Sequence, residues 1–266
     1  MKKLTHWEGE PVETWRALWG LQVLEVHEEL GSTNDRAGEL AREASPAAGG
    51  WTLILSEAQT RGRGRGGKIW VSPPGSSLLF SVVIPGRSGD WNALLPIRMG
   101  LAAAAGLETA LVGPDGSGAR VGLKWPNDLL CQGRKVGGIL CEQGGQGDLV
   151  AGVGINVRQG PEDFPAELRG GAASLEMIRG LPVSRSGILG EILAQLRTRL
   201  RNSGPSLSSA EREEYSGRDV LAGKRVRSDL EGEGTAVGLT PDGYLSLKDG
   251  AGARRTVRGG SVFLLP

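Results

Sequence analysis

The sequence has little of what metal centres and disulfide frameworks require. Among its 266 residues are two cysteines and two histidines. Cys131 and Cys141 are not in a C-x-x-C arrangement, and no further cysteine or clustered histidine is at hand to complete a zinc site. The composition therefore argues against a structural zinc centre and a disulfide scaffold. It predicts two free thiols in a reducing cytoplasm.

Long apolar runs are also missing. No stretch approaches the roughly 18 to 20 apolar residues that a transmembrane helix needs. Nothing near the N-terminus combines a basic start with an apolar core of about 7 to 15 residues, as a secretion signal would. We therefore expect no membrane contact, and a soluble protein of the cytoplasm.

An excess of either charge sign is lacking as well. The 31 basic and 30 acidic residues leave a net charge of +1. A protein that binds DNA, RNA or an anionic membrane through its overall charge is usually strongly basic. Any preference for anions must therefore reside in a local segment.

What the sequence does contain is enough apolar material for a sizeable core, at 39% hydrophobic residues. The alternation in LQVLEVHEEL predicts a half-buried strand, and Ser32 or Thr33 with Asp35 after it marks the start of a helix. Other predicted strands are WTLILSEAQ, SSLLFSVVI, VGLKW, VGGILCEQ and LVAGVGINV, the last three as antiparallel neighbours. Helices are predicted over 91–111, rich in alanine and leucine, and over 184–200.

The pattern changes near Gly217. Short alternating strands follow, with a turn at TPDG, which is typical of a small β-barrel of about 50 residues. We therefore predict two domains, residues 1–217 and 218–266.

The most unusual segment is QTRGRGRGGKIW, which we call the arginine-glycine loop (residues 59–70). Its glycines satisfy G-x-G-x-x-G, but KIWVSPPGSS follows instead of the helix of a Rossmann turn, and no G-K-[ST] makes it a Walker A loop. An RNA-binding segment, a solvated loop and an anion cradle remain. In a cradle, glycine N–H groups would approach a phosphate, Arg63 and Arg65 would add paired hydrogen bonds, and Trp70 would supply a stacking wall.

Four separated segments, in this order, resemble biotin protein ligases: GSTN at 31–34, the arginine-glycine loop, KWPNDLLCQGRKVGGIL at 124–140 and GVGIN at 152–156. The resemblance covers roughly residues 25 to 160 by motif, and the C-terminal barrel is similar to that family's SH3-like domain. It implies an α+β fold of the biotin/lipoate ligase type. A mixed, largely antiparallel sheet would be flanked by helices, followed by the small SH3-like barrel.

Biotin combines a neutral ureido ring, an apolar body and a carboxylate, so its site needs neutral hydrogen-bonding side chains at one end and cations at the other. By resemblance, the biotin site comprises Ser32, Thr33, Asn34, Gln59, Arg63, Gly64, Arg65, Lys135 and Gly137. Nucleotide contacts fall on Arg65, Trp70, Lys124, Asn127 and Asn156, and the catalytic residues are Lys135, Arg65, Arg63 and Asp128.

The implied reaction has two steps. Biotin and ATP form biotinyl-5'-AMP, and a carrier lysine then displaces AMP. ATP with Mg²⁺ is the expected cofactor, with Mg²⁺ held through the phosphates and no protein metal site certain. Asp128 is either the acceptor of the lysine proton or a Mg²⁺ contact, and as an alternative Asn127 and Asp128 form an ordinary turn after Pro126.

Three positions depart from the family pattern: Gly66, Lys68 and Gly137. The resemblance makes the carrier domain of acetyl-CoA carboxylase, or a related carboxylase, the expected partner. It leaves a homodimer open, with a free edge strand serving docking and self-association. Only about 25 residues precede the first motif, too few for a helix-turn-helix domain, so we expect no sequence-specific DNA binding. The alternatives are a lipoate or octanoate ligase and a nucleic-acid-binding module.

Overall fold

The fold was analysed in a computed structural model. It describes residues 2–43, 50–85, 91–145 and 147–265, with the backbone alone at 91 and 92.

The helices and strands alternate along the first two thirds of the chain, and strands dominate its end. The helices are Val12–Leu18 (α1), Thr33–Glu43 (α2), Trp91–Ala110 (α3), Leu175–Arg179 (α4), Arg185–Arg201 (α5) and Ser209–Ser216 (α6). The strands are His6–Trp7 (β1), Glu10–Pro11 (β2), Val23–Leu30 (β3), Thr52–Gln59 (β4), Ser77–Ile84 (β5), Val121–Lys124 (β6), Asp128–Cys131 (β7), Arg134–Gln143 (β8), Leu149–Asn156 (β9), Arg225–Ser228 (β10), Gly232–Leu239 (β11), Leu245–Lys248 (β12), Arg254–Val257 (β13) and Val262–Leu264 (β14).

A seven-stranded sheet carries the large part of the chain, in the order β3-β4-β5-β9-β8-β7-β6. Only the β3–β4 pair is parallel among its strand pairs in the described ranges. Helix α2 makes that parallel pairing possible because it carries the chain from the end of β3 back to the start of β4. The predicted mixed, largely antiparallel sheet is confirmed. Strand β7 was not predicted, because DLLC is only four residues long and lies between two turn signals.

Helices α3 and α5 pack together on the sheet. The predicted helix over 91–111 is confirmed, and its small residues explain the close packing. A Cβ at Gly106 would lie 2.7 Å from Cγ1 of Ile192 on α5. Ser184 caps α5 by accepting a hydrogen bond from the N–H of Gly187.

The N-terminal segment folds onto the same core, which the sequence did not predict. Strands β1 and β2 form a short hairpin, and α1 follows. Trp7, Trp15 and Trp19 form an aromatic cluster whose ring centroids are 5.1 to 6.3 Å apart. Edge-on and stacked contacts of this kind stabilise a small hairpin that could not fold alone.

The C-terminal strands form an antiparallel sheet in the order β13-β12-β11-β10-β14. The turn at TPDG joins β11 to β12, as predicted. The barrel is not closed, because β13 and β14 lie at opposite edges without pairing among the described residues. Trp125 joins the two sheets, since its indole Nε1 donates to the carbonyl of Gly243 at 3.1 Å. The boundary near Gly217 stays a prediction.

Both outer strands of the large sheet are flanked by other segments. Along β3, the N–H of Leu4 donates to the carbonyl of Val26 at 2.7 Å. Along β6, the N–H of Leu123 donates to the carbonyl of Arg218 at 2.8 Å. Strand β8 continues to Gln143 after its pairing with β7 ends at Gly138; Ile139 bonds to Asn127 on that side, and residues 141–143 lie beyond these contacts. Within the described ranges, no helix is both long enough and apolar enough to cross a membrane.

Candidate active site

A cavity of about 390 Å³ opens on the face of the large sheet and extends to the C-terminal sheet. Strands β4, β5, β8 and β9 supply its floor, the arginine-glycine loop one wall, and the segments 164–172 and 260–263 further walls. The cavity brings together nearly all of the residues predicted for the site: Ser32, Thr33, Asn34, Gln59, Arg63, Gly64, Arg65, Trp70, Lys124, Asn127, Asp128, Lys135 and Asn156.

Gly137 is the exception, because it does not line the cavity, and its part in biotin binding stays a prediction. Its Cβ position points away from the cavity and would lie 3.0 Å from Leu129 Cδ1. Gly138 lines the cavity in its place. The cause is a bulge in β8: Leu130 pairs with Lys135 but Leu129 pairs with Gly137, so one residue is left over. A bulge reverses the alternation of side chains, which places Lys135 and Gly138 on the same face.

A neutral hydrogen-bonded cluster occupies one end of the cavity. Gln59 Oε1 accepts from the backbone N–H of Thr33 at 2.7 Å and from its hydroxyl at 3.1 Å. Ser81, fully buried on β5, places its Oγ 2.7 Å from Thr33 Oγ1 and 2.6 Å from Asn34 Oδ1. These bonds fix the orientation of all three polar side chains. The Gln59 amide N–H₂ and the Ser32 hydroxyl make no hydrogen bond to the described residues, and they are available to a ligand.

The amide nitrogen of Asn34 is also hydrogen-bonded. Its Nδ2 donates to the carbonyl of Leu140 at 3.1 Å and to Glu142 Oε2 at 2.6 Å. The side chain lies against Gly152, where a Cβ would approach Asn34 Oδ1 to 2.1 Å. The glycine in GVGIN at this position is therefore required by the close approach of Asn34 to the sheet.

The arginine-glycine loop is folded back on itself rather than extended into solvent. The N–H of Gly64 donates to the carbonyl of Lys68 at 2.7 Å, and the N–H of Trp70 to the carbonyl of Gly62 at 3.0 Å. Gly66 and Gly67 have φ angles of 64° and 75°, which glycine adopts without strain. Gly66, which departs from the family pattern, thus lies in a tight turn.

Trp70 anchors the far end of the loop on the sheet. A Cβ at Gly154 would lie 2.7 Å from Cε2 of the indole, and one at Gly138 would lie 3.4 Å from Cζ3. Two sheet glycines therefore make room for the ring. The indole Nε1 is buried and has no hydrogen-bond partner among the described residues. The ring is a cavity wall.

The arginines of the site differ in whether they already have an ion-pair partner. Arg65 is half-buried and lines the cavity, and its guanidinium makes no ion pair or hydrogen bond within the described ranges. Burial lowers the pKa of Arg65 from its ordinary value. An incompletely solvated guanidinium without a partner is a strong site for a carboxylate or phosphate. Arg63, in contrast, is already paired with Asp35 and Glu142.

Lys135 and Asp128 form an ion pair in the cavity wall. Lys135 Nζ lies 2.5 Å from Asp128 Oδ1. The two side chains are partly exposed to the cavity, at 40% and 25%. Lys124 is the backbone pairing partner of Asp128 between β6 and β7, and it lines the same cavity.

The two asparagines predicted to bind nucleotide, Asn127 and Asn156, donate hydrogen bonds to backbone carbonyls. Asn127 Nδ2 donates to the carbonyl of Ile139 at 2.8 Å, and the N–H of Ile139 donates back to the carbonyl of Asn127 at 3.0 Å. Asn156 Nδ2 donates to the carbonyl of Ala173 at 3.2 Å, and its Oδ1 accepts from Gln159. Both line the cavity, but their donors are engaged, so Asn127 offers its Oδ1 to a ligand.

Sequence reasoning missed three parts of the site. Ser81 interrupts the apolar run SLLFSVVI, and a polar residue in a fully buried strand was an available signal. Phe164 and Leu168 lie on the 164–172 segment, and Phe263 lies on β14; all three line the cavity and carried no motif. The C-terminal sheet therefore contributes a wall to the site.

Residues 30–159 match the Biotin/lipoate A/B protein ligase family, and residues 222–265 match the biotin protein ligase C-terminal domain. The chain is 35% identical over 231 residues to the biotin--[acetyl-CoA-carboxylase] ligase of Mycobacterium tuberculosis, covering 84% of this chain and 80% of that protein. It is also 35% identical over 186 residues to the bifunctional ligase/repressor BirA of Bacillus subtilis. That match covers 68% of this chain but only 54% of the relative's length.

Among solved structures, the biotin protein ligase of Aquifex aeolicus in complex with biotin and ATP superimposes with a TM-score of 0.76 at 28% identity. The superposition covers 92% of this chain and 99% of that one. Both domains, the cavity and the sequence matches thus agree, and the chain belongs to the biotin protein ligase family.

Proposed function

We propose that this protein is an ATP-dependent ligase that activates biotin as biotinyl-5'-AMP and transfers the biotinyl group to a lysine of a carrier domain. The observation that carries the proposal is the polarity of one cavity. A neutral hydrogen-bonded cluster around Gln59 lies at one end, and a cationic group around Arg65 and Lys135 lies in the same lining. This order matches biotin, whose ureido ring is neutral and whose carboxylate is charged.

The first step joins two anions, the biotin carboxylate and the α-phosphate of ATP. Their mutual repulsion must be offset, and Arg65 and Lys135 place positive charge in the lining that both would occupy. A carboxylate oxygen of biotin attacks phosphorus, and pyrophosphate departs with the bonding electron pair. The protein supplies no nucleophile. It contributes orientation and electrostatic stabilisation of the charge that builds on the α-phosphate.

In the second step, the lysine amine of the carrier attacks the carbonyl carbon of the mixed anhydride, and AMP leaves. The attacking amine must lose a proton. Asp128 lies in the lining and forms an ion pair with Lys135 there, so it is suited to take that proton or to contact Mg²⁺. Mg²⁺ would enter with the ATP phosphates, where it would neutralise charge on the leaving pyrophosphate. Asp128 and Glu167 are the carboxylates that the described lining offers to it.

The carrier domain needs a docking surface next to the cavity. Strand β8 continues over residues 141–143 past its contacts on the β7 side, next to Leu140, which lines the cavity. Unpaired strand edges bind other chains by strand addition. We therefore place carrier docking at this stretch. A homodimer that pairs two such stretches would compete with the carrier for the same surface.

One of the relatives, BirA, is named a ligase and a repressor, so DNA binding by this protein is considered separately. In the described ranges, Arg63 of the arginine-glycine loop is paired with two carboxylates, and the loop is folded against the sheet. A loop that is folded back on the sheet, with one of its arginines already paired, differs from an extended basic nucleic-acid arm. We propose that the protein binds no specific DNA sequence, and a sequence-specific gel shift at physiological salt would contradict this.

The experiment that tests the function is pyrophosphate release from Mg-ATP by the purified protein with biotin, lipoate, octanoate or no acid. Release that depends on biotin alone, followed by labelling of an added carrier domain, is the expected result. Release with lipoate or octanoate instead would make the protein a ligase of those acids. An absence of release with every acid would reduce it to a binding protein.

A further inference from the structure

Gln159 is a buried glutamine that contacts the cavity wall without lining the cavity. It is 2% exposed and lies three residues after the end of β9. Its Nε2 donates to Ser77 Oγ at 2.6 Å and to Asn156 Oδ1 at 3.2 Å. Asn156 lines the cavity, and in the described part of the chain neither Gln159 nor Ser77 does. The glutamine can therefore act on the site only through the asparagine.

The orientation of the Asn156 amide is determined from both sides. Its Nδ2 donates to the carbonyl of Ala173 at 3.2 Å and to that of Lys135 at 3.4 Å. Because carbonyl groups only accept hydrogen bonds, the amide nitrogen must face them and the amide oxygen must face Gln159. Gln159 must in turn present its own nitrogen. A single arrangement of the two amides satisfies these contacts.

The two carbonyls lie where the backbone of Lys135 is held. The N–H of Lys135 donates to the carbonyl of Gly171 at 2.8 Å, and the N–H of Ala173 donates to the carbonyl of Lys135 at 3.0 Å. Asn156 adds a side-chain donor from β9 at this junction. If its amide turned over, an oxygen would face two carbonyl oxygens, and all three would lack a donor. The backbone of Lys135 would then shift, together with the ammonium that it carries into the cavity.

Fold stability does not explain why an amide lies at position 159. Gln159 Oε1 is buried and has no hydrogen-bond partner among the described residues. A buried carbonyl oxygen without a partner lowers stability. Methionine would fill a similar space without this cost. The useful part of the side chain is therefore its nitrogen, which is directed at Asn156 and Ser77.

We propose that Gln159 is a positioning residue for adenylation. It fixes the amide of Asn156, and Asn156 holds the backbone of Lys135 and of the neighbouring segment 171–173. The Lys135 ammonium thus stays aligned where the two anions meet. This inference rests on the proposed function, because it takes adenylation as the reaction that occurs in the cavity.

The test replaces Gln159 by methionine, which keeps the length of the side chain and removes both N–H donors. Biotin-dependent pyrophosphate release is measured over a range of biotin concentrations at saturating Mg-ATP. The kcat should fall by about tenfold, because a small displacement of an aligned group slows the reaction. The KM for biotin should stay within about twofold, since the neutral cluster is held by its own hydrogen bonds from Thr33 to Gln59. The melting temperature should not fall.

Gln195→Met is the matched control. Gln195 is partly buried on α5, which does not line the cavity, and it donates to Glu191 Oε1 at 2.9 Å. The same substitution there removes an amide hydrogen bond of similar length. Both kcat and KM should equal those of wild type.

Ser77→Ala supplies a second readout that a purely structural role would not give. It removes one acceptor of the Gln159 amide and should lower kcat by about two- to threefold, since the hydrogen bond to Asn156 remains. A variant that carries Gln159→Met together with Ser77→Ala should have the kcat of Gln159→Met alone. Ser77 acts on the rate only through the glutamine, so the two effects should not multiply.

A kcat of Gln159→Met close to that of wild type, in protein with a normal melting temperature, would overturn the positioning role and leave the proposed function intact. Effects that multiply in the double variant would also overturn it, because the two residues would then act separately. If Gln159→Met folds poorly, Ser77→Ala decides, and an unchanged kcat in that variant would overturn the role. If neither wild type nor Gln195→Met releases pyrophosphate with biotin, the proposed function itself fails, and the positioning role fails with it.

Discussion

Lys135 Nζ lies 2.5 Å from Asp128 Oδ1 in an ion pair between β8 and β7, next to the bulge in β8. The carboxylate holds the ammonium in the cavity wall while leaving it partly exposed. Lys135 is therefore positioned before substrates arrive, which is the condition under which a fixed charge stabilises a transition state most.

We predict that Lys135→Ala slows biotin-dependent pyrophosphate release by about a hundredfold or more, as losses of single preorganised donors do elsewhere. The physical reason is the loss of a cation where two anions meet. Release is measured with saturating Mg-ATP and biotin. Lys248→Ala, an exposed lysine of the C-terminal sheet, is the control and should react normally. A near-normal rate for Lys135→Ala would remove Lys135 from the catalytic residues.

Ser81→Ala should raise the KM for biotin by roughly tenfold with little change in kcat. The hydroxyl of this fully buried residue contacts Asn34 Oδ1 and Thr33 Oγ1, and burying those oxygens without their partner weakens the cluster by about 1 to 3 kcal/mol. Ser56→Ala is a close control. Ser56 is also a buried serine, on β4, but its hydroxyl donates to the carbonyl of Ala58. Both variants should lose thermal stability, and an equal KM effect in both would contradict a specific role for Ser81.

Gly154→Ala should impair adenylation by at least about tenfold, because displacing an aligned group by a fraction of an ångström misplaces the reacting atoms. The new methyl would lie 2.7 Å from Cε2 of Trp70, so the ring and its loop must shift. Gly138→Ala places its methyl at 3.4 Å, an ordinary contact, and should be tolerated. Tryptophan emission and pyrophosphate release are measured for both. Equal behaviour of the two variants would show that Trp70 is not held by the sheet glycines.

Glu25 should make the stability of the protein depend on acid pH. Burial works against its charged form, but hydrogen bonds from Arg36, Lys3 and His27 outweigh it. They lower the pKa of Glu25 to about 2, from an ordinary 4.5. A carboxylate with a lowered folded pKa stabilises the protein above its unfolded pKa, and this contribution is lost as the pH falls from about 4.5 to about 2. Glu25→Gln should lower the free energy of unfolding at pH 7 and flatten its acid decline.

The measurement for Glu25 is urea unfolding between pH 7 and pH 2.5. Glu28→Gln, on the same strand, removes an exposed ion pair with Lys2 and is the control. Exposed pairs contribute little, so this control should keep the acid decline of wild type. An unchanged decline in Glu25→Gln would assign the acid sensitivity to other carboxylates.

The candidate site was located through the resemblance of four segments to biotin protein ligases, and in the structure these segments follow or lie on strands that meet at one face. Ser32 to Asn34 follow β3, the arginine-glycine loop follows β4, and Lys135 lies on β8 beside its turn. The apolar patterns predicted these strands, and the polar residues of the site do not follow those patterns. The patterns predicted VGGILCEQ and LVAGVGINV as antiparallel neighbours, which β8 and β9 are, whereas the order of the whole sheet was not predicted.

Partners distant in sequence could not be predicted. Arg63 meets Asp35 at a separation of 28 residues and Glu142 at a separation of 79. No local sequence pattern shows that the guanidinium of Arg63 is already paired with carboxylates. The choice between Gly137 and Gly138 was equally hidden, because it depends on a one-residue bulge that changes the face of every later side chain.

The two flanking segments of the large sheet come from opposite ends of the chain. Residues 2–4 lie along β3 and are made before it, whereas residues 218–220 lie along β6 and are made long after it. While the chain is still growing, β6 presents unpaired N–H and C=O groups to its surroundings. Such an edge recruits strands from other chains, and this is how nascent proteins aggregate. In the folded protein, residues 218–220 cover this edge, which stays open until they have been made.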